Sequence, residues 1–174
     1  SGITTTGSTV FSDLDKMPKG LLLWRCILQW LGGIGIIVVA MVFLPELRVG
    51  GMQIFRAEGF DTLGKILPRA TTIAFQISII YVGITIACGL AYVLAGMSFF
   101  DAVVHSFTTV ATGGFSNYDK SFSVFSWKVE YVAILFMILS ALPFVRYVQL
   151  INGQGTAVFK DPQVKTFIFL ICFL

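Results

Sequence analysis

Three long apolar runs, residues 21–44, 66–97 and 129–151, alternate with short polar segments that hold nearly all of the charges. Each run exceeds the roughly 18 residues that mark a candidate for a membrane-spanning helix. Lipid offers the backbone no hydrogen-bond partner, so spans are helical, and irregular backbone survives at depth only where it lines a protein cavity. The pattern therefore predicts spans over 21–44, about 70–96 and about 127–151. Between the last two lies 98–110, about a dozen residues, too short at about 1.5 Å per residue to cross a core about 30 Å thick. Its natural form is a re-entrant half-helix.

The polar interruptions repeat. Ser1-Gly2-Ile3-Thr4-Thr5-Thr6-Gly7-Ser8-Thr9-Val10 is rich in Thr and Gly, and leads into Asp13-Leu14-Asp15-Lys16. After the half-helix comes Ala111-Thr112-Gly113-Gly114-Phe115-Ser116, then Asn117-Tyr118-Asp119-Lys120. Matching letters pairs Thr6-Gly7 with Thr112-Gly113 and Ser12-x-x-Asp15-Lys16 with Ser116-x-x-Asp119-Lys120, each followed by a helix start bearing Trp24 or Trp127. The unit is span, half-helix, Thr-Gly loop, span. The expected class is thus an all-α membrane protein with repeated pore units of the potassium-channel-like type. Residues 1–45 would end one unit, 46–69 form a cytoplasmic loop, 70–151 make a complete second unit, and 152–174 hold a second cytoplasmic loop and the start of a third. The start is polar and lacks the features of a signal peptide, and 164–174 reads as a broken-off helix, so the chain is expected to be part of a longer protein.

The loop chemistry suits a cation. An ion entering a narrow pore loses hydration water, which rings of backbone carbonyls can replace. Aiming successive carbonyls at one axis needs backbone angles that Gly adopts cheaply, and Thr hydroxyls add oxygen ligands. The partly negative C-terminus of a half-helix before such a loop favours a cation.

Composition agrees. Hydrophobic residues make up 56% of the 174 and charged residues 12%, against about 25% in a soluble domain. The mean hydropathy is +0.88. A net charge of +3 without a basic run argues against nucleic acid. Cys26, Cys88 and Cys172 sit inside apolar runs without metal or redox spacing and read as buried, inert thiols. The acids cluster in turns, so neither an enzyme nor a proton-driven carrier is expected. Arg48, Arg56, Lys65 and Arg69, outweighing Glu46, Glu58 and Asp61, mark 45–68 as cytoplasmic, and 152–165 would share that side, with 13–19 and 117–123 outside.

Several single residues carry open readings. Trp24, Arg25 and Trp30 fit an interfacial belt with a snorkelling cation, and Gly32-Gly33-Ile34-Gly35 would admit a close neighbour. His105 reads as structural, paired with Asp101, or as a tuner of the outer vestibule. Asp13, Asp15 and Asp119 either concentrate cations or are solvated turn residues. Arg146 either snorkels at the cytoplasmic end of its span or is swung by Pro143 toward the pore, where it would modulate conduction.

Gly2-Ile3-Thr4-Thr5-Thr6-Gly7-Ser8-Thr9, Leu28-Gln29-Trp30-Leu31-Gly32-Gly33-Ile34-Gly35, Val49-Gly50-Gly51-Met52-Gln53 and Gly113-Gly114-Phe115-Ser116 together resemble the Trk-type (TrkH/TrkG-like) potassium uptake proteins, over essentially the whole chain. The resemblance implies a pore subunit with four units around one path, in a bacterial inner membrane, with potassium as the transported ion and no bound cofactor. It also implies a homodimer docked on cytoplasmic nucleotide-binding regulatory subunits. The filter would then comprise Thr4, Thr5, Thr6, Gly7 and Ser8 with Ala111, Thr112, Gly113, Gly114 and Phe115, its key glycines at Gly7 and Gly113. A third-unit gating loop would fall after Leu174, and no family role attaches to Pro143 or Arg146. The alternative is a sodium-permeable or weakly selective relative.

Overall fold

The computed structural model describes residues 1–43, 67–151, 153 and 161–173, with the side chains of 36–43, 67–71 and 172 left aside. Six α-helices are formed among them: α1 (Lys19–Phe43), α2 (Leu67–Leu94), α3 (Phe99–Val110), α4 (Trp127–Ala141), α5 (Phe144–Ile151) and α6 (Pro162–Phe173). Short 3-10 turns, Leu14–Lys16 and Ser121–Val124, precede α1 and α4. The described residues contain no strand.

The helix ends follow from local chemistry. α2 closes with Gly96 at φ +102, while Gly96 N–H and Met97 N–H donate to the carbonyls of Val93 and Tyr92. This is the paired-carbonyl stop that a left-handed glycine permits. α3 starts at Ser98, whose Oγ accepts from Asp101 N–H and donates to the Asp101 carboxylate. That reciprocal cap stops α2 and α3 from merging. At 12 residues α3 is about 18 Å long, the short helix expected of 98–110.

α2 is the hub, packing against α1, α3, α4 and α5. Ile77, Tyr81, Cys88 and Tyr92 form its buried stripe, while Phe75, Ile79, Val82, Ile86 and Leu90 form an exposed apolar one. An apolar exposed face is what lipid contact requires of a helix. Among the described residues Thr72–Leu94 is long and apolar enough to span a membrane, and α4 with α5 make a second candidate if taken as one broken span.

The predicted span over 127–151 differs from the structure: α4 and α5 meet at 83°. Pro143 cannot donate a backbone N–H, and the residue before a proline disfavours helical angles. Leu142 accordingly adopts extended angles of φ −73, ψ 148. The Tyr147 hydroxyl, donating to Leu139 O over 2.6 Å, braces the bend. The expected loop over 152–165 also ends early, since α6 begins at Pro162 behind an Asp161 cap that accepts from Gln163 N–H. Asp161 also pairs with Arg146, which donates in addition to Gln149 Oε1.

Arg25 does not snorkel. It is only 7% exposed, its guanidinium lying over the rings of Phe11 and Phe115. Trp24 faces outward, and Trp30 turns inward to donate to Thr85 Oγ1. Cys26 and Cys88 are buried and free, as expected. The Cys172 side chain and the Arg69 side chain lie outside the description, as do residues 44–66 with Arg48, Arg56, Lys65, Glu46, Glu58 and Asp61.

Candidate functional site

Two loops with one backbone design lie side by side against α1. In the first, Thr5 N–H donates to Gly2 O and Thr6 N–H to Ser1 O; in the second, Thr112 N–H donates to Thr109 O and Gly113 N–H to Thr108 O. Thr5 and Thr112 are both left-handed, at φ 52 and 53, and Gly7 and Gly114 match at φ 72 and 71. The hydroxyl of Ser1 clamps Ser8 O over 2.6 Å, and that of Thr108 clamps Phe115 O over 2.8 Å. The two loops therefore share one backbone design, in the register Thr5 with Thr112, Thr6 with Gly113 and Gly7 with Gly114. Letter matching placed it one residue off, because identical residues outscored the positions that need positive φ. The downstream match of Ser12 with Ser116 is not carried by the backbone either: it would set Asp13, left-handed at φ 59, against Asn117, which has no positive φ.

A left-handed threonine costs on the order of 1–2 kcal/mol, a strain characteristic of functional backbone. Its effect here is to turn peptide groups away from the helix path. Among the described residues no protein donor reaches the carbonyl oxygens of Thr4, Thr5, Thr6, Gly7, Ala111, Thr112, Gly113 or Gly114. Ser8 and Phe115, at the ends of the two sets, have their carbonyls clamped. α3 runs directly into the second loop, so its partly negative end lies at these free oxygens. Thr4 and Thr6 share a hydroxyl hydrogen bond of 2.8 Å.

Glycines let the parts approach. A Cβ at Gly7 would fall on the Gly113 carbonyl, and a Cβ at Gly113 on the Gln29 carboxamide. On α1, Gly32 admits the Ile3 carbonyl, and Gly33 admits Ala111 and the Tyr81 hydroxyl. Tyr81 donates to Trp30 O over 3.0 Å. The small residues of α1 thus receive the backs of both loops.

Beyond the second loop lies a polar cluster. The Asp101 carboxylate accepts from Ser98 Oγ–H, Asn117 Nδ2–H and the Tyr118 hydroxyl. Burial, then this hydrogen bond to Asp101, raises the Tyr118 hydroxyl above its ordinary pKa, so it stays a donor. Asn117 N–H donates to His105 Nε2, which leaves Nδ1 to carry the proton and donate to the Asp101 carbonyl over 2.8 Å. His105 is fully buried among Tyr118, Phe122 and Phe125 and bonds the backbone of Asp101, not its carboxylate. Asp119 is taken up by Leu14 N–H, whereas Asp13 makes an exposed pair with Lys16.

The structure brings the two loops together at Gly7 and Gly113 and pairs Arg146 with Asp161. Sequence reasoning missed Gln29 and took Arg25 for an interfacial cation; both pack against the loops. The signal available was their position one turn apart on α1, a polar and a charged side chain inside an apolar run.

The family model described as TrkH, cation transport protein, matches residues 1–173. The potassium uptake protein TrkI of Halomonas elongata is 46% identical over 98% of this chain and 35% of its own length. TrkH of Vibrio parahaemolyticus is 43% identical over the whole of this chain and 38% of its own. The crystal structure of the potassium transporter TrkH from Vibrio parahaemolyticus superposes with a TM-score of 0.83 at 39% identity, covering 99% of this chain and 35% of that one. The chain spans about a third of the length of these relatives. Matched over nearly its whole length by the family model and by relatives more than 40% identical, the chain belongs to the TrkH family of cation transport proteins.

Proposed function

We propose that the chain is a pore-lining part of a potassium uptake transporter embedded in the bilayer, and that Thr4, Thr5, Thr6, Gly7 and Ser8 with Ala111, Thr112, Gly113, Gly114 and Phe115 contribute two of four segments of one selectivity filter. The single observation that carries this is the pair of equivalent loops whose run of backbone carbonyls meets no protein donor among the described residues. Such oxygens replace the hydration shell of a cation, and the end of α3 adds negative potential where a half-helix is required to supply it. The names of the relatives, all potassium uptake proteins, support potassium as the cargo. The role is conduction, not catalysis.

In this reading the full-length transporter is a homodimer in the inner membrane, docked on cytoplasmic nucleotide-binding subunits. Lys120 faces outward and Lys165 inward. Single cysteines at these positions, labelled in intact cells with an impermeant thiol reagent, are expected to react at 120 and not at 165.

The filter itself is tested by Gly114→Ser in the full-length transporter, expressed in cells lacking other potassium uptake. The left-handed φ of Gly114 penalises any side chain, so the rubidium-to-sodium uptake ratio is expected to fall while the protein still inserts. An unchanged ratio returns the loops to plain connectors. A ratio near one in the unaltered transporter would favour the weakly selective, sodium-permeable relative.

A further inference from the structure

Gln29, on α1, packs against both loops. Its side chain is fully buried. Oε1 accepts from Phe115 N–H over 3.3 Å, a bond across 86 residues. The carboxamide carbon and Nε2 occupy the space that a Cβ on Gly113 would fill, and the Gly113 carbonyl occupies the space that a Cβ on Gly7 would fill. Nε2 is also 3.9 Å from that Gly7 position. Gln29, Gly113 and Gly7 therefore form a stack in which each glycine makes room for the group behind it.

Packing alone does not account for the choice of side chain. Nε2 is buried and makes no hydrogen bond among the described residues, a cost that a Met of similar volume would avoid. The acceptor Oε1 supplies what Met lacks. Phe115 N–H is the first backbone donor after the free carbonyls, and in a dry site an unpaired N–H turns until it finds an acceptor. Turning that peptide would rotate the Gly114 carbonyl, because the two belong to one planar unit.

We propose that Gln29 is a positioning residue for ion selection: by holding Phe115 N–H it fixes the plane of the Gly114–Phe115 peptide, and by filling the gap beside Gly113 it sets the second loop's distance from the first. Potassium itself does not touch it. The inference rests on reading the two loops as filter segments.

The test uses the full-length transporter in cells lacking other potassium uptake, with rubidium and sodium uptake normalised to inserted protein. Gln29→Met keeps volume without an acceptor, and Gln29→Asn keeps the amide but is too short to reach Phe115. Both are expected to lower the rubidium-to-sodium ratio about tenfold, equal to about 1.4 kcal/mol of discrimination. Gln29→Glu, which retains an acceptor at the same reach, is expected to hold the ratio at least threefold above that of Met. Gly114→Ser serves as the reference for the filter reading. If it lowers the ratio while Gln29→Met and Gln29→Asn do not, the role of Gln29 is overturned and the filter stands. If none of the three alters the ratio, the filter reading itself has failed. Should Met fail to insert, Asn carries the same comparison. Equal loss in Met, Asn and Glu would also overturn the proposal, because positioning through the acceptor predicts that Glu differs.

Discussion

Leu14 donates its backbone N–H to Asp119 Oδ1 over 3.2 Å, so the turn that follows the first loop hangs on the turn that follows the second. Leu14 is itself buried, 4% exposed, and its N–H has no other partner among the described residues. Replacing Asp119 by Ala is expected to destabilise the purified full-length protein by about 1–2 kcal/mol, the cost of stranding a donor. Asp119→Asn keeps the oxygen and should lose less. Thermal unfolding in detergent measures both, and equal losses would assign the effect to charge.

The glycines are predicted to fail for different reasons. Gly7 and Gly114 need positive φ, whereas Gly113 is outside that region and is constrained by the Gln29 side chain, the nearest group to a Cβ there. Gly113→Ala should therefore be relieved in part by Gln29→Ala, and Gly7→Ala should not. Non-additivity in a double-mutant cycle on the uptake ratio checks this. Gly83 in α2 provides the neutral comparison: it faces open space at ordinary helical angles, so Gly83→Ala should leave the ratio unchanged. Gly96 would serve less well, because its own φ of +102 penalises any side chain.

Arg146→Ala leaves Asp161, 3% exposed at its side chain, without its cation. Breaking a buried pair in this way costs about 3 kcal/mol, and a double variant with Asp161→Asn should recover much of it. The melting temperature of the full-length protein reports the result. A rise in rubidium flux per inserted molecule in the Ala variant would instead put Arg146 beside the conduction path.

His105→Phe should preserve the aromatic packing against Phe122 and Phe125 yet strand Asn117 N–H and Ser116 Oγ, both directed at Nε2. A loss of about 2 kcal/mol is expected from the same unfolding measurement. His105→Gln, which brings back an acceptor, should recover part of it.

The helices were legible because length and hydrophobic runs decide them, and α3 because too few residues were present to cross a bilayer. The break at Leu142 and Pro143 was legible only as a kink. Proline announces a lost hydrogen bond, but the 83° turn depends on tertiary braces such as Tyr147 to Leu139. The loop register was hidden because φ is not written in letters: Thr5 and Thr112 take an angle that threonine rarely adopts. Arg25 was misread for a related reason. An arginine near a helix start usually reaches for the interface, and only folding brings Phe11 and Phe115 over its guanidinium.

The pairing of Thr6 with Gly113 has an evolutionary consequence. The two loops hold different residues at the same backbone position, one with a hydroxyl and one with no side chain. In a pore of identical subunits a single codon change strikes every copy of the loop at once. In a chain that carries two such loops in tandem, each is encoded separately, so a change at Thr6 leaves Gly113 as it is.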